Sequence, residues 1–380
     1  MWPAGLTRRQ TGGCLMPTAF IKCSLTMSRI LVVLMLGVLC GAMSHAWAGD
    51  TVAGSSPGSY KLPPWHVPDV AALPDDDNGR LVRLGQTLIN HTTALIGPDA
   101  PEAMQRYSRS GLECTNCHLD GGTKRFALPL VGIAGLYPKF SARVDAQQDL
   151  ADRVNDCMER SLNGRPLPRD SKEMRAILAY LTFLGFDQPA GQAPIGRGAP
   201  KLPLPARAAS ARRGATIFQS MCAACHRSDG QGVRLPAEAR AAEQRRYLYP
   251  PLWGPESFND AAGMARVMTG AWFVDANMPY GINFHYPLLA PDDAYDVMAF
   301  VATKPRPHKA DLAKDYPDRW LKPVGTMYPP WVGPFSAAQN RFGPWQPIID
   351  WRRSHAPLAG ADRVPAANDL EAAVFVTSKQ

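Results

Sequence analysis

Two short runs constrain this chain more than anything else in it: Cys114-Thr115-Asn116-Cys117-His118 and Cys222-Ala223-Ala224-Cys225-His226. C-x-x-C-H is the pattern on which a c-type haem is attached, two thiols forming thioethers and the adjacent histidine taking one axial position on iron. A structural zinc site built from the two C-x-x-C pairs is the competing reading. Cys117 and Cys222 stand 105 residues apart, however, far beyond zinc spacing, and zinc leaves the paired histidines unexplained. Two copies predict two covalently bound haem c groups, held by Cys114, Cys117, Cys222 and Cys225, with His118 and His226 as axial ligands.

An export signal agrees with this. Arg29 precedes the apolar run from Ile30 to Met43, and Ala46-Trp47-Ala48 has the small-x-small form of a cleavage site. Fourteen apolar residues are too few to span a bilayer. Residues 1–48 therefore read as a signal peptide, with 1–26 upstream of a natural start at Met27. Cleavage near Ala48 would deliver a periplasmic protein with no stable membrane anchor. The formal charge of +8 falls to +4 without Arg8, Arg9, Lys22 and Arg29, which gives no case for nucleic-acid binding. Of eight cysteines, three lie in the presequence and four attach haem. Cys157 is left without a partner in an oxidising compartment, and such a thiol needs an explanation.

The expected architecture is all-α, with two cytochrome c-like domains. Residues 49–185 form the first, with helices over Gly79–Ile96, Asp149–Asn163 and Ser171–Leu184, the last capped by Asp170 and closed by Gly185. A Pro-rich linker covers 186–210. The second domain, 211–346, repeats the order: a helix around Arg213–Met221, the haem motif, a long loop, and a closing helix over Asp292–Ala302. Residues 304–346 read as a Pro- and Trp-rich wrap without regular structure. Residues 347–380 read as a tail, mobile from about Ser354.

The sixth iron ligand largely sets what a haem can do. No other histidine lies between His118 and His226, so the candidates at haem 1 are Cys157, Met158 and Met174. Met174 fits a helix core, while Cys157 and Met158 are neighbours about 100° apart on one helix, so only one can face the iron. A buried, inert thiol is the plain alternative for Cys157. At haem 2, Met264, Met268, Met278, Met298 and His285 compete. Met278 precedes Pro279 in a helix-incompatible loop suited to aiming a thioether.

The sequence resembles the di-haem thiosulfate dehydrogenases over roughly residues 78–347. The likeness is carried by Cys114–Asp120, Arg153–Ser161, Pro251–Asp260, Asn277–Pro279 and Lys322–Phe342. It implies that Cys157 ligates the active-site haem, that Arg143 and Arg153 flank the substrate, and that Met278 ligates the second haem. It further implies coupling of two thiosulfates to tetrathionate, with two electrons passed through haem 1 and haem 2 to a small periplasmic acceptor, a cytochrome c or similar. Arg153 and Cys157 are i and i+4 on a helix, and Ser161 is one turn further on, able to add a hydrogen bond. Some members carry lysine where this chain has Asn277, so fixed His226/Met278 coordination is expected here. Tetrathionate reduction at the same site, a non-catalytic di-haem carrier, and the related cytochromes that load thiosulfate onto a carrier protein are the competing functions.

Overall fold

The computed structural model describes residues 62–357. The segment read as a signal peptide lies outside them, as does the chain beyond 357.

The first unit is framed by α1 (Asp77–Asn90) and α5 (Lys172–Phe183), which cross closely. Asp76 starts α1 by accepting from the Gly79 amide at 2.7 Å. Gly85 makes the crossing possible: a Cβ there would lie 2.1 Å from the Ala176 carbonyl oxygen. The expected single helix over 79–96 breaks at His91, and α2 (Thr92–Ile96) follows as a separate turn. The first haem motif leads into α3 (Leu119–Gly122), a turn in which Asp120 and Gly121 have positive φ. A ribbon, β1 (Lys139–Ser141) antiparallel to β2 (Ala146–Gln148), runs into α4 (Leu150–Arg160). Asp149 caps α4 reciprocally with Asp152. Ser171 caps α5, one residue later than the Asp170 expected, since its hydroxyl accepts from Met174 N. Leu88, Ile89, Met158, Leu162, Met174, Ile177 and Tyr180 form the core of this unit.

Residues 185–210 contain no helix or strand. Their end is fastened: Arg207 binds Asp296 through two hydrogen bonds of 2.8 and 2.9 Å. The second unit then runs α6 (Ala211–Ile217), a π-helical turn over Phe218–Cys222, and α7 (Ala223–His226). The long loop expected next holds more structure than its sequence suggested. It contains β3 (Val233–Arg234), α8 (Ala237–Glu243), β4 (Tyr247–Tyr249), which pairs antiparallel with β3, and α9 (Val267–Asn277). With Trp272, Phe273 and most of its length buried, α9 lacks the one-sided stripe that reveals a surface helix. The closing helix α10 (Pro291–Ala302) crosses α6 where Gly214 would place a Cβ 1.8 Å from the Asp296 carbonyl oxygen.

The wrap is only partly irregular, because Ser336 caps α11 (Ala337–Phe342). The expected tail begins instead as α12 (Gln346–His355), which buries Ile348 beside Trp345 in the second core. No described helix is long and apolar enough to cross a membrane.

A cysteine and a cationic cavity

Each haem motif presents its histidine the same way. His118 Nδ1 faces the Leu128 carbonyl oxygen at 2.5 Å, and His226 Nδ1 faces that of Pro250 at 2.9 Å. A carbonyl can only accept, so Nδ1 carries the proton in both rings and Nε2 keeps its lone pair. A haem iron needs that tautomer. Thr92 Oγ1 lies 3.3 Å from Cys114 Sγ and fixes the first thiol from behind.

On α4, Cys157 and Met158 have different surroundings. Met158 is 2% exposed and points into the first core. Cys157, about a quarter-turn round the helix, lies within hydrogen-bonding reach of His118. The fold thus brings the imidazole and the sulfur together from separate elements. Arg153 Nη1 donates to Cys157 Sγ at 3.1 Å, the i to i+4 contact expected. Burial pushes the Cys157 thiol up, but Arg153 and His118 more than reverse this and bring it down to about 7. Met174 lies in the first core and Met298 in the second.

Arg153, Arg143 and Ser161 line one cavity of about 510 Å³, within the roughly 300–1,000 Å³ typical of small-molecule sites. Among the described residues its wall carries nine lysines and arginines against a single carboxylate, Asp156. Arg143 sits in the turn between β1 and β2 and donates to Asp315 at 2.8 Å. Asp315 also accepts from Arg160 at 2.7 Å and from the Tyr328 hydroxyl at 2.8 Å. Lys322, 3% exposed, lies 4.2 Å from the centre of the Tyr328 ring and donates to the Pro330 carbonyl. Burial pulls that lysine down to about 8.

Asp315, Lys322 and Tyr328 were not candidates from sequence. They sit in an irregular segment where spacing carries no signal. Arg160 could have been noticed, since it lies two turns along α4 from Arg153.

The second haem's expected ligand is placed differently. Met278 ends α9 and packs with Leu119, Ala127, Leu128 and Phe273, on the side of the first motif's loop. Asn277, 1% exposed, donates to the carbonyls of Phe126 and Phe273 at 3.1 Å each. Its amide is spent on backbone, and its neighbour is thereby tied to the loop that orients His118. His285 is exposed.

Two helix-framed units, each with a C-x-x-C-H motif and a histidine of the metal-binding tautomer, define a di-haem c-type cytochrome. The SoxA/TsdA cytochrome c domain family matches residues 103–189, and the cytochrome c family matches residues 211–304. A thiosulfate dehydrogenase from Allochromatium vinosum is 38% identical over 271 residues, covering 70% of this chain and 89% of the relative. One from Psychrobacter arcticus is 33% identical over 72% of this chain and 76% of its own length. The solved thiosulfate dehydrogenase TsdBA of Marichromatium purpuratum, as isolated, superposes with a TM-score of 0.57 at 31% identity. That match covers 64% of this chain and 50% of the solved one, so the chain spans half the length of that protein. The chain belongs to the thiosulfate dehydrogenase family, and its two cytochrome c domains carry two covalently bound c-type haems.

Proposed function

We propose that this protein couples two thiosulfates to tetrathionate in the periplasm, with Cys157 as the reacting group. The supporting observation is a thiol in contact with Arg153 and His118 beside a cavity walled by cations. Cys114, Cys117 and His118 would hold the first haem with Cys157 as second axial donor. Cys222, Cys225 and His226 would hold the second, with Met278 as the sixth ligand that the resemblance implies. Bound haem supplies the one-electron redox capacity that the oxidation requires, two equivalents per tetrathionate.

The chain's own residues do the rest. The Cys157 thiolate bonds to the sulfane sulfur of one thiosulfate, with loss of two electrons. A second thiosulfate then attacks that sulfur and displaces the thiolate as leaving group, so tetrathionate departs and Cys157 is regenerated. Four negative charges must meet, and guanidiniums offset their repulsion while matching sulfonate oxygens with forked donors. Arg153 touches the reacting sulfur, Arg143 is held at the cavity wall by Asp315, and Ser161 adds a hydroxyl one turn beyond Cys157. Asn277 holds the Met278 segment against the His118 loop, which supports a short passage from the first haem to the second and outward to a small electron acceptor. Since its amide is engaged on carbonyls, His226/Met278 coordination should stay fixed on reduction.

The test is thiosulfate-dependent reduction of ferricyanide by the purified holoprotein with tetrathionate quantified. One tetrathionate per two thiosulfates is expected. No turnover with both haems in place would leave an electron carrier.

A further inference from the structure

The charges around the cavity are unevenly satisfied. Arg143 and Arg160 share Asp315, and Lys322 and Arg352 donate to backbone carbonyls. Arg266 lines the same cavity, half-buried, and among the described residues it has neither a carboxylate nor a hydrogen-bond acceptor. Its position makes this more unusual. It occupies the N-cap of α9, where a small polar residue normally accepts from the first helical amides, and its side chain makes no cap bond. A cation at the positive end of a helix has the wrong sign for the dipole. Loss of hydration lowers its pKa, and the nearby Arg143 adds to this while the Tyr316 phenol opposes it. No described residue offsets a guanidinium there, and an anion in the cavity would.

The coupling chemistry says where an anion is needed. Once Cys157 carries the first thiosulfate as Cys–Sγ–S–SO₃⁻, the second must attack the sulfane sulfur from the side opposite the cysteine sulfur. The new S–S bond forms as the S–Sγ bond breaks, the electron pair returns to Cys157, and no net redox change occurs in this step. The incoming sulfonate therefore lies farther from Cys157 than the first, beyond reach of a side chain already bonded to Cys157 Sγ.

We propose that Arg266 is the seat for the sulfonate of the second thiosulfate, and equally for the distal sulfonate of tetrathionate. This rests on the coupling mechanism above. In reverse, the thiolate takes a thiosulfate group from tetrathionate and releases thiosulfate without any oxidant, so the adduct can be prepared directly and read as a mass increment on Cys157.

Wild-type holoprotein, Arg266→Gln and Arg266→Lys are loaded with saturating tetrathionate and desalted. Discharge by added thiosulfate is then followed by intact mass, with haem content and melting recorded for each. Arg266→Gln should hold its adduct until thiosulfate is raised roughly tenfold to a hundredfold above the wild-type requirement, the loss expected for a charged hydrogen-bonding partner. Arg266→Lys, which keeps the charge but not the fork, should fall between them, and it decides the matter alone if the glutamine variant fails to fold. Both variants discharging at wild-type concentrations would overturn the seat and leave the coupling mechanism standing. A wild-type protein that takes no adduct from tetrathionate would overturn both.

Discussion

At Cys157 opposing influences act on one sulfur. Burial alone would keep the thiol protonated and inert, as it does for most free cysteines. Arg153, one helical turn back, and His118, on a separate loop, outweigh burial and bring it to about 7. Arg153→Gln should therefore slow loading of Cys157 by tetrathionate, measured as the rate at which the intact-mass increment appears. The Arg153–Cys157 pair was legible because i and i+4 share a helix face. His118 facing Cys157 was not, since 39 residues separate them and only the fold closes that distance.

Among the elements, both units rest on one device, a glycine where two helices cross. Gly85 lets α1 approach Ala176 of α5, and Gly214 lets α6 approach Asp296 of α10. A methyl at either crossing must push backbone apart. Gly85→Ala and Gly214→Ala should each destabilise the holoprotein by roughly 1–3 kcal/mol, measured by denaturant unfolding, and a change below half a kilocalorie would contradict the packing. Helices α1 and α4 were visible in sequence as apolar stripes, Leu88 and Ile89 on the one and Val154 and Met158 on the other. By contrast, α9 was missed because it is apolar all round, and α12 because Gln346–His355 reads as polar while Ile348 alone is fully buried.

In the whole molecule the two units are laced together and not merely linked. Phe258, Ala262 and Ala265, which follow the second haem motif, lie in the first core. Asn259 donates to the Glu159 carbonyl at 2.8 Å and to Asn163 at 3.1 Å, just past the turn that bears Cys157. Arg246 grips Glu256 through hydrogen bonds of 2.9 and 3.0 Å and reaches Asp99 of the first unit at 2.5 Å, while the Gly111 amide donates to the Glu256 carbonyl. The hydrogen bonds from Arg246 are the main reason the Glu256 carboxyl is held at about 2, against an ordinary 4.5. Because its pKa is lowered on folding, its stabilisation is complete above about 4.5 and is lost as pH falls from there toward 2. Glu256→Gln should remove roughly 2–3 kcal/mol at neutral pH and flatten the acid limb of the stability curve. The Pro251–Asp260 run drew notice only as part of a resemblance; its work of joining the units needs partners more than ninety residues away, which no local pattern encodes.

The placing of the chemistry at Cys157 is tested most directly by replacing it. Thiosulfate-dependent ferricyanide reduction, with tetrathionate quantified, should collapse in Cys157→Gly while both haems stay attached and the protein stays folded. Full activity in that variant would contradict a cysteine-centred coupling.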